Sequence, residues 1–175
     1  SKGRLLFGVG AGYLKQEFEA LGINFEERGA RTDEYIDAIR ELWTSEQPAF
    51  AGQFVNYKGI QSRPLAYQNG GPPVIVGGTS KAAYRRAIQK GHGWYGFALD
   101  VASSQESVEA LKTFSESTDR SVDLGELEIS ITPRIPLTDE VIKQFEDMGV
   151  SRLILLQTGK NEDQMLKNID QIAKD

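Results

Sequence analysis

The sequence predicts an α/β fold in which β-α units build a parallel sheet, in one domain over residues 1–175. Three observations predict it. Five short apolar runs punctuate the chain, a helical pattern follows each of them, and no repeat, low-complexity tract or linker divides the whole. Alternating strands and helices imply parallel pairing, because each crossover returns the chain to the same edge of the sheet.

The runs are Arg4 to Val9, Pro73 to Val76, Trp94 to Ala98, Leu127 to Thr132 and Arg152 to Leu156. They read as near-continuous hydrophobics, the pattern of strands buried on both faces. After the first, Leu14, Phe18 and Leu21 recur at helical spacing, and Tyr35, Ile39, Leu42 and Trp43 form a second stripe. Ser80 to Gln89 is the next helix, stopped by Gly91. Val108, Leu111 and Ser115 share a face of the fourth. Thr138 is the N-cap of the fifth, with Val141, Ile142 and Phe145 inward and Gly149 at its end. Met165, Leu166, Ile169 and Ile172 line the last. One segment breaks the alternation. Phe50 to Tyr57 reads as a β-hairpin turning near Gly52-Gln53, an insertion near 49–61.

Composition narrows the function. The chain has 175 residues and a net charge of -5, with no Lys/Arg-rich block, which argues against nucleic-acid binding through phosphate neutralisation. It has no cysteine and a single histidine, His92, so no thiolate chemistry and no multi-histidine metal site is expected. The apolar runs are too short for a membrane span, and no signal peptide is evident, so a cytoplasmic protein is expected.

The strongest local signal is Pro72-Pro73-Val74-Ile75-Val76-Gly77-Gly78-Thr79-Ser80. A buried strand runs into two glycines, two hydroxyls and a helix. Glycines let backbone N–H groups approach a ligand, and the helix start adds free N–H groups at a positive dipole end. Two readings stand side by side: a phosphate site at Gly77, Gly78, Thr79 and Ser80, or a tight turn with Thr79 or Ser80 as the N-cap. The second signal is Gly8-Val9-Gly10-Ala11-Gly12-Tyr13. Its third glycine is misplaced for a Gly-x-Gly-x-x-Gly dinucleotide fingerprint. The small residues Gly10 and Gly12 at a strand end leave room for a planar ring instead, with Tyr13 and Glu17 just beyond. Glu17 reads as a solvated helix residue. The charges of Phe25-Glu26-Glu27-Arg28-Gly29-Ala30-Arg31-Thr32-Asp33-Glu34 form either a surface network or, through Arg28 or Arg31, a ligand contact.

Taken in order, Gly3-Arg4-Leu5-Leu6-Phe7-Gly8-Val9-Gly10-Ala11-Gly12, Glu17-Phe18, Glu27 to Glu34, Leu42-Trp43, Pro72 to Gly78 and Gly93-Trp94 resemble the luciferase-like monooxygenase family. The likeness runs from Gly3 to about Ala98. It returns less specifically through Arg134-Ile135-Pro136-Leu137, Gly149-Val150 and Leu153-Ile154-Leu155. The resemblance implies a (β/α)8 barrel that uses FMN or the deazaflavin coenzyme F420. It places Gly77-Gly78-Thr79-Ser80 at the cofactor phosphate and Gly8 to Gly12 near the ring. Tyr13 stands where some relatives carry an acid, so no proton donor is carried over and the catalytic residues stay unassigned. His92 stands where the family usually has Asp. It precedes a strand at its N-terminal end, the face that serves stability in such barrels, and Trp94 and Tyr95 read as core or barrel-lining residues.

A barrel of this type needs roughly 250 residues or more. In the family the Gly3-Arg4 strand is the fourth, so the resemblance implies an incomplete barrel of five strands with the first three units missing. The expected activity is a flavin- or deazaflavin-dependent oxidoreductase or monooxygenase acting on a small organic substrate. The alternative is a truncated, non-catalytic remnant or a self-associating barrel fragment. Its open edges are expected to pair with another copy, as a dimer, or with the remainder of a longer chain. A third possibility is an unrelated phosphate-binding barrel. It calls for a Lys or carboxylate at a strand end, where the last two strands offer only Arg134 and Gln157.

Overall fold

A computed structural model describes residues 1–156 and 159–172. Gln157 and the Ile172 side chain, both named above, lie outside the described set. In chain order the elements are β1 (Phe7–Val9), α1 (Lys15–Ala20), a 3-10 turn (Phe25–Glu27), α2 (Arg28–Thr44), β2 (Ala49–Ala51), β3 (Asn56–Lys58) and β4 (Val74–Gly77). There follow α3 (Lys81–Lys90), β5 (Gly93–Leu99), α4 (Val101–Glu116), a second 3-10 turn (Val122–Leu124), β6 (Glu128–Pro133), α5 (Asp139–Asp147), β7 (Arg152–Leu153) and α6 (Glu162–Ile172).

Five strands form one sheet in the order β1-β4-β5-β6-β7, and every pairing is parallel. This is the expected β-α succession, and the sheet does not close into a barrel. Successive residues point to opposite faces. One face carries Val74, Val76, Trp94 and Ile131, all at most 1% exposed. They pack with Tyr84, Ala87 and Ile88 of α3, Leu111 of α4 and Phe145 of α5 into one core. The opposite face carries Gly8, Ile75, Gly77, Tyr95 and Ser130 and borders a cavity.

The edges differ from the expectation that every run is buried on both faces. The Arg4 and Arg152 runs contribute only Phe7–Val9 and Arg152–Leu153 as strand. Leu5, Leu6, Ile154, Leu155 and Leu156 are exposed. Each edge strand has a neighbour on one side only, so little covers them. The helices beside the edges follow suit: Leu14 and Leu21 around α1, and Met165, Leu166 and Ile169 on α6, are exposed. Elsewhere the stripes shift by about one residue. Helix α2 buries Ile36 and Ala38 and leaves Tyr35 out. Helix α4 buries Ser104, Ser107, Val108 and Leu111, and Phe114 rather than exposed Ser115 continues that face. Ile142 of α5 is exposed while Phe145 is 1% exposed. Tyr35 keeps its hydroxyl near water while wholly aliphatic Ile36 goes inward, and Phe114 removes more apolar area from water than Ser115 would.

The charged run before and along α2 is structural. Arg28 lies 3.8 Å over the Phe25 ring and donates to the Phe25 carbonyl. Arg31 bridges to Glu27 at 2.8 Å and stacks 4.4 Å over Phe54. Glu34 accepts the backbone N–H groups of Gln53, Phe54 and Val55, fastening the hairpin β2–β3 to α2. Arg86 of α3, 5% exposed, donates to both carboxylate oxygens of Asp33 and to the Gly29 carbonyl. The surface-network reading of this segment therefore holds, and Arg28 and Arg31 are engaged by the protein itself. Among the described residues, no helix is long and apolar enough to cross a membrane.

Candidate functional site

The carboxyl end of β4 leads through Gly77 and Gly78 into α3. Gly78 has φ +116°, a conformation that side chains rarely adopt, and a Cβ there would sit 3.3 Å from Ala83 Cβ. Two bonds hold the turn from β5: the Gly78 N–H reaches the Tyr95 carbonyl at 3.4 Å, and Trp94 Nε1–H donates to the Gly78 carbonyl at 2.8 Å. Ser80 is the N-cap, its Oγ accepting the Ala83 N–H at 3.2 Å. Gly78, Thr79 and Ser80 are exposed. The other first-turn amides of α3 have no carbonyl one turn before them. No acidic residue lies in that turn, which opens on Lys81. A cation there opposes the helix dipole, whereas a bound anion would be favoured by both.

Beside this turn lies a cavity of about 420 Å³, bounded by Gly8, Gly10, Ile75, Gly77, Tyr95 and Ser130, with Leu6, Val9, Ile154 and Arg152 completing it. A Cβ built on Gly8 or Gly10 would meet nothing within 4 Å, so the β1 backbone is open to a flat ligand. Gly12 differs: with φ +82°, its Cβ would collide with Phe18 at 2.8 Å. Of the six sequence candidates, Gly10 and Gly77 share the cavity wall and Gly78, Thr79 and Ser80 form the adjacent turn. Gly12 serves the fit of the chain against Phe18.

Sequence reasoning named Tyr95 as core or barrel-lining but passed over the polar residues around it, Ser130 and Arg152 on the cavity wall and Glu128 and Thr132 behind them. Tyr95 OH and Thr132 Oγ1 share a hydrogen bond of 2.7 Å. Arg152 pairs with Glu128, and Ser130 Oγ approaches Glu128 Oε1 at 3.4 Å. The signal was present. Within the fourth apolar run, Glu128, Ser130 and Thr132 alternate with Leu127, Ile129 and Ile131. That period of two marks a strand with one polar face.

Two titratable groups mark the strand ends. At the carboxyl end of β5, Asp100 caps α4, accepting Ser103 N–H at 2.9 Å and Ser103 Oγ–H at 2.7 Å, and it pairs with Arg134. The Ser103 amide first, then Arg134 and the Ser103 hydroxyl, hold its carboxyl well below the usual carboxylate range. At the amino end, His92 Nδ1 accepts the Val74 N–H at 3.0 Å. Burial, then the charges of Arg40 and Arg120, push the imidazole below its ordinary value. Among the described residues, no group of three or more His, Asp or Glu side chains is placed to hold a metal ion.

Residues 1–147 match the family model described as luciferase-like monooxygenase. The chain belongs to the luciferase-like monooxygenase family. Among the proteins it is similar to is an uncharacterized protein of Mycobacterium tuberculosis (strain ATCC 25618 / H37Rv), 29% identical over 152 residues, which cover 87% of this chain and 51% of the relative. The FMNH(2)-dependent dimethylsulfone monooxygenase of Pseudomonas putida is 26% identical over 126 residues, 70% of this chain and 35% of that one. The chain thus spans about half the length, or less, of these curated relatives. The long-chain alkane monooxygenase LadA superposes with a TM-score of 0.63 at 15% identity, over 99% of this chain and 40% of LadA. An F420-dependent secondary alcohol dehydrogenase superposes at 0.61 with 14% identity, over 98% of this chain and 61% of the enzyme. These structural likenesses establish the luciferase-like barrel fold, of which this chain forms five parallel strands.

Proposed function

We propose that this luciferase-like chain carries the cofactor-binding part of an FMN- or F420-dependent oxidoreductase acting on a small organic substrate. One observation carries the reading: an exposed Gly-Gly turn at a helix start opens beside a glycine-walled cavity at the carboxyl ends of parallel strands. Ligands of such barrels sit at that face. The names of an FMNH(2)-dependent and an F420-dependent relative support the choice of cofactor.

The residues present fit such a group. Gly77 and Gly78 let the backbone approach a phosphate, the hydroxyls of Thr79 and Ser80 donate to it, and the start of α3 with Lys81 supplies positive potential. Gly8 and Gly10 leave the wall flat where a ring would lie, and Gly12 fixes the bend that follows. Trp94 and Tyr95 hold the turn in place through their bonds to Gly78. When bound, the cofactor supplies hydride transfer and, in the case of FMN, reaction with oxygen. The chain's own work is to bind, orient and keep water from the apolar cavity.

Fluorescence titration of the purified chain with FMN and with F420 tests this. Saturable quenching of at least one is expected; no binding of either at high micromolar concentration would refute the reading. The exposed apolar edges at Leu5, Leu6, Ile154 and Leu156 favour a second reading, a self-associating fragment without turnover. Sedimentation at micromolar concentration distinguishes a dimer from a monomer.

A further inference from the structure

We propose that Asn69-Gly70 is a modification site: Asn69 converts spontaneously to isoaspartate, and the product loosens the strap that ties the loop before β4 to the entry of β1. The inference is independent of any cofactor.

The chain has asparagines at 24, 56, 69, 161 and 168, and the structure sets one of them apart. Asn24 Oδ1 accepts the Glu26 N–H, Asn56 Nδ2 donates to the Gly52 carbonyl, Asn161 Oδ1 accepts the Gln164 N–H, and Asn168 lies within α6. Each of these four is followed by a bulky side chain: Phe25, Tyr57, Glu162 or Ile169. Asn69 is exposed, and its side chain has no hydrogen-bond partner among the described residues. The exposed residue after it is Gly70, with φ +83°. The turn is closed one residue later, by the Gly71 N–H on the Gln68 carbonyl at 3.2 Å, and the Gly70 N–H bonds nothing among the described residues. An amide nitrogen with no Cβ beside it and no bond to give up is open to the Asn69 side chain.

The chemistry needs only base and water. The Gly70 nitrogen loses its proton and attacks Asn69 Cγ. The new N–Cγ bond forms as the Cγ–Nδ2 bond breaks, and ammonia leaves. Water then opens the cyclic imide. Breaking its N–Cγ bond gives aspartate; breaking its bond from nitrogen to the main-chain carbonyl carbon gives isoaspartate, whose backbone is one methylene longer. The change turns a neutral amide into a carboxylate and lengthens the turn.

That turn holds its surroundings together. Gln68 Nε2 donates to the Gly3 carbonyl at 2.5 Å, and Tyr67 Cδ1 would lie 3.2 Å from a Cβ on Gly3. Gly71 is buried under Trp43: with φ +90°, its Cβ would lie 2.7 Å from Trp43 Cε3. Trp43 meets the Phe7 ring edge-on at 5.1 Å, and the Phe7 N–H donates to the Pro73 carbonyl at 2.8 Å. With an extra methylene between them, the reach of Gln68 to Gly3 and the seat of Gly71 under Trp43 no longer match. The strand so released is β1, which carries Gly8 of the cavity wall.

Ageing the full chain in mildly alkaline buffer, followed by peptide mass mapping, tests the site. A gain of about one dalton is expected at Asn69 before any other asparagine, with isoaspartate the larger product. Its rate should lie within about tenfold of that in the denatured chain, because the fold leaves this turn open. N69Q should abolish the gain there. First reaction at another asparagine, a native rate slower than that, or aspartate as the larger product would overturn the site. Hydrogen exchange tests the strap. Amides from Leu5 to Val9 should exchange at least about fivefold faster in the isoaspartate form. N69D, which carries the charge without the longer backbone, should exchange as the fresh protein does. Unchanged exchange in the isoaspartate form, or equal acceleration in N69D, would overturn the strap.

Discussion

The two ends of strands β4 and β5 are built in opposite ways. At the amino ends, side chains and backbone are tied together by many hydrogen bonds. Arg120 donates to the carbonyls of Ala87, Ile88, Gly91, Leu124 and Gly125. Arg40 donates to the Lys90 carbonyl, and His92 exchanges bonds with Val74 through both its backbone and its ring. The glycines there are glycines because there is no room: a Cβ on Gly91 would lie 2.9 Å from the Ala87 carbonyl oxygen, and one on Gly93 2.8 Å from that of Glu128. At the carboxyl ends Gly8 and Gly10 face open space, the Gly78 turn is exposed, and the Arg134 side chain is 59% exposed beside Asp100. One end is densely bonded and closed; the other opens onto a cavity. Stability and ligand capture are thus separated along the same strands.

Breaking the core that both ends share should have the largest effect. Trp94 is fully buried and also reaches Gly78. Trp94→Ala should cost about 3–5 kcal/mol in denaturant unfolding and abolish cofactor binding with it. Next is the closed end alone. Arg120→Ala leaves five carbonyls without that donor and should cost about 2–3 kcal/mol, yet any protein that remains folded should bind cofactor with unchanged affinity.

The His92 ring gives the closed end a pH dependence. Its folded pKa lies below the ordinary 6.5, so the neutral ring's contribution is complete above that value and is lost as pH falls from 6.5 toward the folded pKa. Protonated Nδ1 could no longer accept the Val74 N–H. His92→Asn offers an amide oxygen in place of Nδ1. It should remove this part of the acid loss, read as the difference between the two proteins' unfolding free energies across pH 5 to 7. The smallest effect lies at the open end, and it has opposite signs in the two readouts. Lys81→Glu should stabilise the free protein by about 0.5 kcal/mol, because an acid suits a helix start, while weakening any phosphate-bearing ligand.

The order and direction of the five strands were legible because continuous apolar runs and helical stripes are local signals. A hydroxyl cap at Thr79 or Ser80 was legible too, and the fold takes Ser80. The fate of the edges was not, because Leu5 and Ile154 read like Val74 and only the number of neighbouring strands separates them. The helix faces slipped by one residue where two adjacent apolar side chains, such as Tyr35 and Ile36, competed for the core. At the site, the glycine turn stood out in one stretch of sequence. Its surroundings did not: the Tyr95–Thr132 bond joins residues 37 positions apart. The register slip between Phe97 and Leu99, where Ala98 has φ +55°, depends on a backbone angle that the sequence does not advertise.

The separation of the two ends is tested most directly by the affinities of FMN and riboflavin, which differ only by the phosphate, measured on the unaltered chain and on Gly78→Val and Arg120→Ala. The account predicts that the unaltered chain binds FMN at least tenfold tighter than riboflavin. Gly78→Val should bring the two ligands together, and Arg120→Ala should lower stability while leaving their ratio intact. Equal affinities in the unaltered chain, or a ratio that survives Gly78→Val, would contradict the assignment of the phosphate to the open end.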